Sequence, residues 1–172
     1  MINNLTRSFL LLFIVSMSHA GIAASSAVFK DFSGQPNKIE HFAGKGKWLV
    51  VMIWAENCHV CNEEVSEYIA FHNRHENIDA SVLGISIDGE ESQAAAKAFL
   101  ARHKPSFPNL ISEPEDFMAY YAEIGGGPFK GTPTILLYTP EGTLSAAQAG
   151  AVPIRIIENY IASRAAAKSS VE

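Results

Sequence analysis

Two cysteines, Cys58 and Cys61, are the only thiols in the 172-residue chain, and both fall in the stretch Trp54-Ala-Glu-Asn-Cys-His-Val-Cys61. Thiols three positions apart can form a redox couple, half of a metal site or a structural bridge. A bridge has little to gain here, because the loop it closes is too short to restrict the unfolded chain much. Two thiolates and an imidazole suit a soft ion like Cu(I). A redox couple needs one thiol activated as a nucleophile and a second close enough to displace whatever the first has captured. Which of these applies depends on the elements that hold the pair.

Trp48-Leu-Val-Val-Met-Ile-Trp54 is an unbroken apolar run rich in β-branched residues, the pattern of a strand covered on both faces. From Cys61 the residues Val65, Tyr68, Ile69 and His72 recur at helical spacing, which predicts an amphipathic helix to about Arg74. A second buried strand follows over Ser81–Asp88. Strand, helix, strand is a βαβ unit with parallel strands. Upstream, Gly34, Pro36, Gly44 and Gly46 punctuate residues 28–47, which suit a lead-in with one or two short strands. Downstream, residues 89–130 form an insertion with a helix over Ser92–His103, ended by Pro105 and Pro108, and a second over Asp116–Ile124. A glycine-rich loop to Gly131 leads into a hairpin of Thr134–Thr139 and Leu144–Gly150, turned by Pro140-Glu-Gly142, and Pro153 opens a last helix to about Ala167. The pattern is α/β, a central mixed sheet flanked by helices. Phe71, Tyr68 and Trp48 are expected in the core; His72, His75 and His103 are expected to be solvated or helix-face histidines, not ligands.

Composition excludes several classes of function. With 48% hydrophobic and 18% charged residues the chain can bury a core without help from a disulfide, and a net charge of -5 without long runs of like charge argues against nucleic acid as a partner. Residues 1–20 read as a secretory signal: Arg7, then the apolar run Phe9–Met17, then Ser18-His-Ala20 with small residues at the cleavage positions. An uncleaved membrane anchor is the alternative, although the apolar run is shorter than the ~20 residues that span a bilayer. Cleavage near Gly21 removes Arg7 and takes the charge from -5 to -6. The mature domain is then residues 21–168, followed by a frayed tail, residues 169–172. Export places the cysteines in a compartment where a disulfide persists.

Cys58 follows the end of a buried parallel strand and opens a helix, where unpaired N–H groups and the helix dipole favour a thiolate. Cys61 lies one turn further on the same face and deeper. Position therefore makes Cys58 the nucleophile and Cys61 the resolving thiol. With the strand ending Trp54-Ala, the motif Cys58-His-Val-Cys61 with Glu63-Glu64 behind it, and Gly131-Thr-Pro133-Thr about seventy residues on, the chain resembles the thioredoxin superfamily over residues 28–165, and within it the exported TlpA-like thiol-disulfide oxidoreductases of the cytochrome c maturation type. The insertion points to that subgroup. The resemblance implies a thioredoxin-like fold, a protein-disulfide reductase whose redox group is the Cys58–Cys61 disulfide with no other cofactor, protein thiol or disulfide substrates, and a membrane or exported partner that regenerates the active form.

It also implies a cis Pro133 beside the cysteines, with Thr132, Trp54 and His59 contacting substrate. An acid after the second parallel strand, Glu90 or Glu91 ahead of Asp88, is implied to relay protons; an acid at a helix N-terminus that complements the dipole is the simpler alternative. The chain departs from the family at Asn57, where tryptophan is usual, and at Glu56, where a small residue is usual. Glu56 would raise the Cys58 pKa, whereas the helix end and a protonated His59 would lower it. Copper carriers of similar fold have three residues between their cysteines and a remote histidine, and here the gap is two. A related peroxidase is expected to carry a single cysteine preceded by threonine, which this chain lacks.

In the reduced protein Cys58 should be alkylated faster than Cys61, with a pKa below the ~8.5 of a free cysteine unless Glu56 points at it. Equal rates, measured by mass spectrometry after brief alkylation, would contradict the assigned roles.

Overall fold

Residues 48–54 are all buried, and their side chains alternate between two cores. In the computed structural model, which describes residues 29–169, this strand is an interior strand of a seven-stranded sheet. The elements in chain order are β1 (Phe29–Asp31), β2 (Pro36–Asn37), a short 3-10 helix (Ile39–His41), β3 (Trp48–Trp54), α1 (His59–His75), β4 (Ala80–Ser86), α2 (Gln93–His103), β5 (Asn109–Ile111), α3 (Pro114–Glu123), β6 (Thr134–Tyr138), β7 (Leu144–Ala149) and α4 (Ile154–Ser169). The sheet runs β2-β1-β5-β4-β3-β6-β7. β3, β4 and β5 are parallel, while β6, β7, β1 and β2 join antiparallel.

On one face Trp48, Val50, Met52 and Trp54 pack with Cys61, Val65, Tyr68 and Phe71 of α1, Phe99 of α2 and Ile157 of α4. On the other, Leu49, Val51 and Ile53 pack with Ile39, Phe117 and Tyr121. A strand covered on both faces needs apolar residues at every position, which is why β3 shows no alternation in its sequence. The expected βαβ unit, hairpin and closing helix are all present, and Tyr68, Phe71 and Trp48 are core as expected. The insertion contains more than two helices. Asn109–Ile111 adds a third parallel strand beside β4, paired Gly84 with Asn109 and Ser86 with Ile111. Three residues between prolines and a helix carry no readable period.

The residues expected as a signal, 1–20, lie outside the described residues. So do residues 170–172 of the expected tail, whereas Ser169 closes α4. Among the described residues no helix is long and apolar enough to cross a membrane.

His72 lies on the core face of α1. It is buried, not solvated: its Nδ1 accepts from Val82 N–H at 3.1 Å, and Nε2 lies 3.0 Å from Glu76 Oε2. β5 begins opposite Gly84, so the backbone N–H of Val82 has no strand to pair with, and the imidazole takes that place. His75 stacks on Phe71 and pairs with Asp79, and His103 leans on Phe99. Burial holds the His72 pKa below its usual value, with Glu76 partly opposing. Protonation at Nδ1 would remove the acceptor for Val82.

The unfolded chain takes up this proton near pH ~6.5 and the folded protein only at lower pH, so His72 contributes a loss of stability as pH falls below ~6.5. His72→Asn, which keeps an acceptor near the Nδ1 position, should flatten the decline in Tm between pH 8 and pH 5 while remaining folded. An unchanged slope would show that acidification acts elsewhere.

Candidate active site

β3 delivers the chain to the sheet edge at Trp54, and the next residues turn directly into α1. Cys58 is the N-cap of that helix, with extended backbone, and its Sγ accepts from Cys61 N–H at 3.1 Å. Helix N-termini leave N–H groups without intrahelical acceptors, so a sulfur placed here is held by the donors that would stabilise its negative charge. Cys58 and Cys61 form a disulfide, with Cα atoms 5.3 Å apart. Cys58 is half-buried and Cys61 is 0% exposed. Of the two sulfurs, Cys58 is therefore the more accessible to an incoming thiol or disulfide.

Asp88 fixes the turn before Cys58. Its carboxylate accepts from Glu56 N–H at 3.0 and 3.1 Å and from the Ser86 hydroxyl at 2.6 Å. The acids favoured from the sequence stand differently. Glu90 is exposed and ion-paired with Lys30, which holds its carboxyl below the usual range, and its backbone N–H donates to Glu113. Glu91 is exposed. Of the three acids after β4, Asp88 is the one that touches the cysteine loop.

Another carboxylate, used in the sequence only as part of the family motif, has the more unusual setting. Glu64 lies three residues after Cys61, on the same side of α1. It is partly buried, and its Oε2 is enclosed with no hydrogen-bond partner. Burial, with Glu67 and Glu63 nearby, pushes its pKa up. An acid that is reluctant to ionise, one turn beyond the buried sulfur, can hold a proton for a thiolate leaving at Cys61. The i, i+3 spacing from Cys61 was the readable signal; burial of the second oxygen was not readable.

Thr132–Pro133 is a cis peptide bond, as the resemblance implied. Thr134 pairs with Ile53, so the buried Pro133 stands one residue beyond the last β3–β6 pair, level with the point where β3 leaves for the cysteines. Its carbonyl accepts from Gly150 N–H at 2.8 Å, and Thr132 before it is half-buried. His59 is open to solvent, 3.1 Å from Glu63 Oε1.

Trp54 requires a correction. It is 1% exposed, its ring stacks on Phe99 with centroids 4.2 Å apart, and Nε1–H donates to Asn109 Oδ1 at 3.1 Å, so it faces the core and not a substrate. Gly84 makes room for that bond, since a Cβ there would sit 1.9 Å from Asn109 Oδ1. Among the described residues no group of three or more His, Cys, Asp or Glu is placed to hold a metal ion.

Glu64→Gln removes a partly buried charge, one of whose oxygens has no hydrogen-bond partner, and should raise Tm at pH 8 more than at pH 4, where the carboxyl is largely protonated in folded and unfolded chains alike. The same variant should slow thiol-disulfide exchange at pH 7 by about tenfold or more. Exchange at the wild-type rate would remove Glu64 from the chemistry.

The fold matches solved structures along most of its length. The thioredoxin domain of a thiol-disulfide oxidoreductase from Bacteroides vulgatus aligns with a TM-score of 0.63 at 21% identity, covering 78% of this chain and 91% of that one. A thiol:disulfide interchange protein of the thioredoxin family from Chlorobium tepidum aligns at 0.64 and 18% identity, covering 79% and 90%. These likenesses establish a mixed α/β thioredoxin-like fold. In sequence, the chain is 20% identical over 146 residues to the thiol-disulfide oxidoreductase ResA of Halalkalibacterium halodurans, covering 85% of this chain and 77% of the relative. The AhpC/TSA family matches residues 21–147, which include the whole cysteine motif and the cis proline, and the chain belongs to that family.

Proposed function

We propose that the protein is an exported thiol-disulfide oxidoreductase that acts on protein substrates as a reductase, of the TlpA-like type that serves cytochrome c maturation. The observation that carries the reading is the asymmetric pair: a half-buried Cys58 capping α1 and a fully buried Cys61 bonded to it. The Cys58 thiolate attacks a substrate disulfide, forming a mixed disulfide and releasing one substrate thiolate, which takes a proton. Cys61 then loses its proton and attacks Cys58 Sγ, expelling the second substrate thiolate and closing the Cys58–Cys61 bond. Two electrons pass to the substrate, which leaves as a dithiol. A second dithiol protein, exported or membrane-bound, returns them.

Outward electron flow is supported by the buried Cys61 and the neighbouring Glu64, neither of which favours a thiolate, because a dithiol costly to ionise gives up its electrons readily. Export is supported by the signal-like residues 1–20 and by neighbours such as a protein from Mycobacterium tuberculosis described as a secreted disulfide oxidoreductase. Proton transfer is assigned to Glu64 ahead of Glu90 and Glu91. Substrate contact is assigned to Thr132, whose backbone next to Pro133 can pair with an extended segment, and to the exposed His59.

Cys61→Ser expressed in cells should accumulate proteins disulfide-linked to Cys58 that dithiothreitol releases and that Cys58→Ser does not capture. The wild type should reduce insulin. No adduct together with no insulin reduction would overturn the reading.

A further inference from the structure

One cluster beside the disulfide has no part in the reaction as written. Asn62 follows Cys61, and its side-chain amide is fully used. Nδ2 donates to Cys58 O at 2.9 Å and to Glu56 O at 3.0 Å, while Oδ1 accepts from Arg102 Nη2 and from His103 Nε2, both at 2.9 Å. Two donors and two acceptor sites are the whole capacity of a carboxamide. Because His103 Nε2 must carry the proton it gives to Oδ1, its 3.3 Å approach to Arg102 Nε holds no hydrogen bond.

Arg102 and His103 belong to the last turn of α2, in the insertion, and the core anchors them. Phe99 is 1% exposed and stacked on Trp54, the His103 ring lies 4.5 Å from Phe99, and the Arg102 guanidinium lies 5.9 Å from the same ring. The block Trp54, Phe99, His103, Arg102 thus ends on one amide, and that amide holds the carbonyls on either side of the turn that carries Cys58.

We propose that Asn62 is a positioning residue that couples Arg102 to Cys58. The guanidinium and imidazole fix the orientation of the amide, the amide fixes the cysteine turn, and the positive charge of Arg102 favours the Cys58 thiolate over the thiol. The other charges at this turn are Glu56 itself, Asp88 on its N–H, Glu64, and the mutually paired His59 and Glu63. Among the described residues Arg102 is the only Lys or Arg hydrogen-bonded to residues 55–62, so its loss leaves a turn dominated by carboxylates. The inference rests on Cys58 being the attacking thiol, and the measurement chosen does not require turnover.

The test is a titration of the reduced protein by ultraviolet thiolate absorbance, with the equilibrium between dithiol and disulfide read in glutathione buffers. Arg102→Ala should raise the Cys58 midpoint, reduce its thiolate fraction at pH 7 about threefold, and shift the equilibrium toward the disulfide by a similar factor, the modest size reflecting an exposed cation. Arg102→Lys, which restores the charge without the planar fork, should recover part of the shift, and high salt should shrink the difference between wild type and Arg102→Ala. Asn62→Ala should move the midpoint in the same direction. If Arg102→Ala lowers Tm but leaves the midpoint and the equilibrium in place, the cluster is structural only and the proposal is overturned. If the wild type fails to reduce insulin yet its Cys58 midpoint still moves with Arg102, the coupling stands and the reductase reading falls.

Discussion

The first backbone N–H groups of any helix need acceptors, and in this chain one of them, from Cys61, is met by a sulfur. Cys58 is at once the cap of α1 and the exposed half of the disulfide, so the same geometry that starts the helix sets the chemistry of the thiol. Everything upstream fixes where that cap falls. β3 is buried on both faces and paired on both edges, to β4 and to β6, and cannot slide without breaking both ladders. Its last residue, Trp54, is locked by Phe99 and Asn109. Four residues later the helix begins, and the Asp88 carboxylate and the Asn62 amide hold the turn between.

That arrangement explains which parts of the fold could be read in the sequence. β3, α1, β4, the hairpin and α4 carry their own periods or punctuation, and their bounds lie within a few residues of those expected. β5 does not, because three residues gain their stability from β4 on one side and β1 on the other. The pairing is a property of the assembled sheet. The same distinction separates the site residues. Cys58 and Cys61 were legible from spacing, and Pro133 from its place before a strand together with the resemblance. His72 was read as a solvated or helix-face histidine, and its polarity said nothing of the unpaired Val82 N–H that it serves. Trp54 was assigned to substrate on the strength of the resemblance, yet at the end of a two-faced strand this tryptophan enters the core. The acids were the least legible. The sequence favoured Glu90 or Glu91 over Asp88 and left Glu64 as part of the motif, and only burial and partners separate a tie, a surface ion pair and a carboxylate with an unsatisfied oxygen.

The insertion has its own place in this account. α2 packs on α1 and sends Phe99 under Trp54, while β5 sends Asn109 to the indole N–H, so the stacking partner and the hydrogen-bond acceptor of Trp54 are both supplied by residues 89–130. Residues that look like a detour between two halves of a fold therefore support the strand end from which the cysteine loop departs. Gly84 shows how close this packing is, since any side chain there would displace the Asn109 amide.

The charges around the disulfide oppose one another, and their balance decides how the pair behaves. The helix end favours a thiolate at Cys58, and Arg102 acts in the same sense through Asn62. Glu64 and the burial of Cys61 act against it one turn deeper. A pair in which both thiols ionised easily would hold the dithiol form and give up electrons slowly; a pair in which neither did would attack slowly. Separating the two influences along one helical turn allows the outer sulfur to be nucleophilic while the inner one keeps its proton until the mixed disulfide has formed. In the proposed reaction the half-buried acid three residues beyond Cys61 would take that proton, and its raised pKa matches the task better than an exposed, ion-paired glutamate such as Glu90 could.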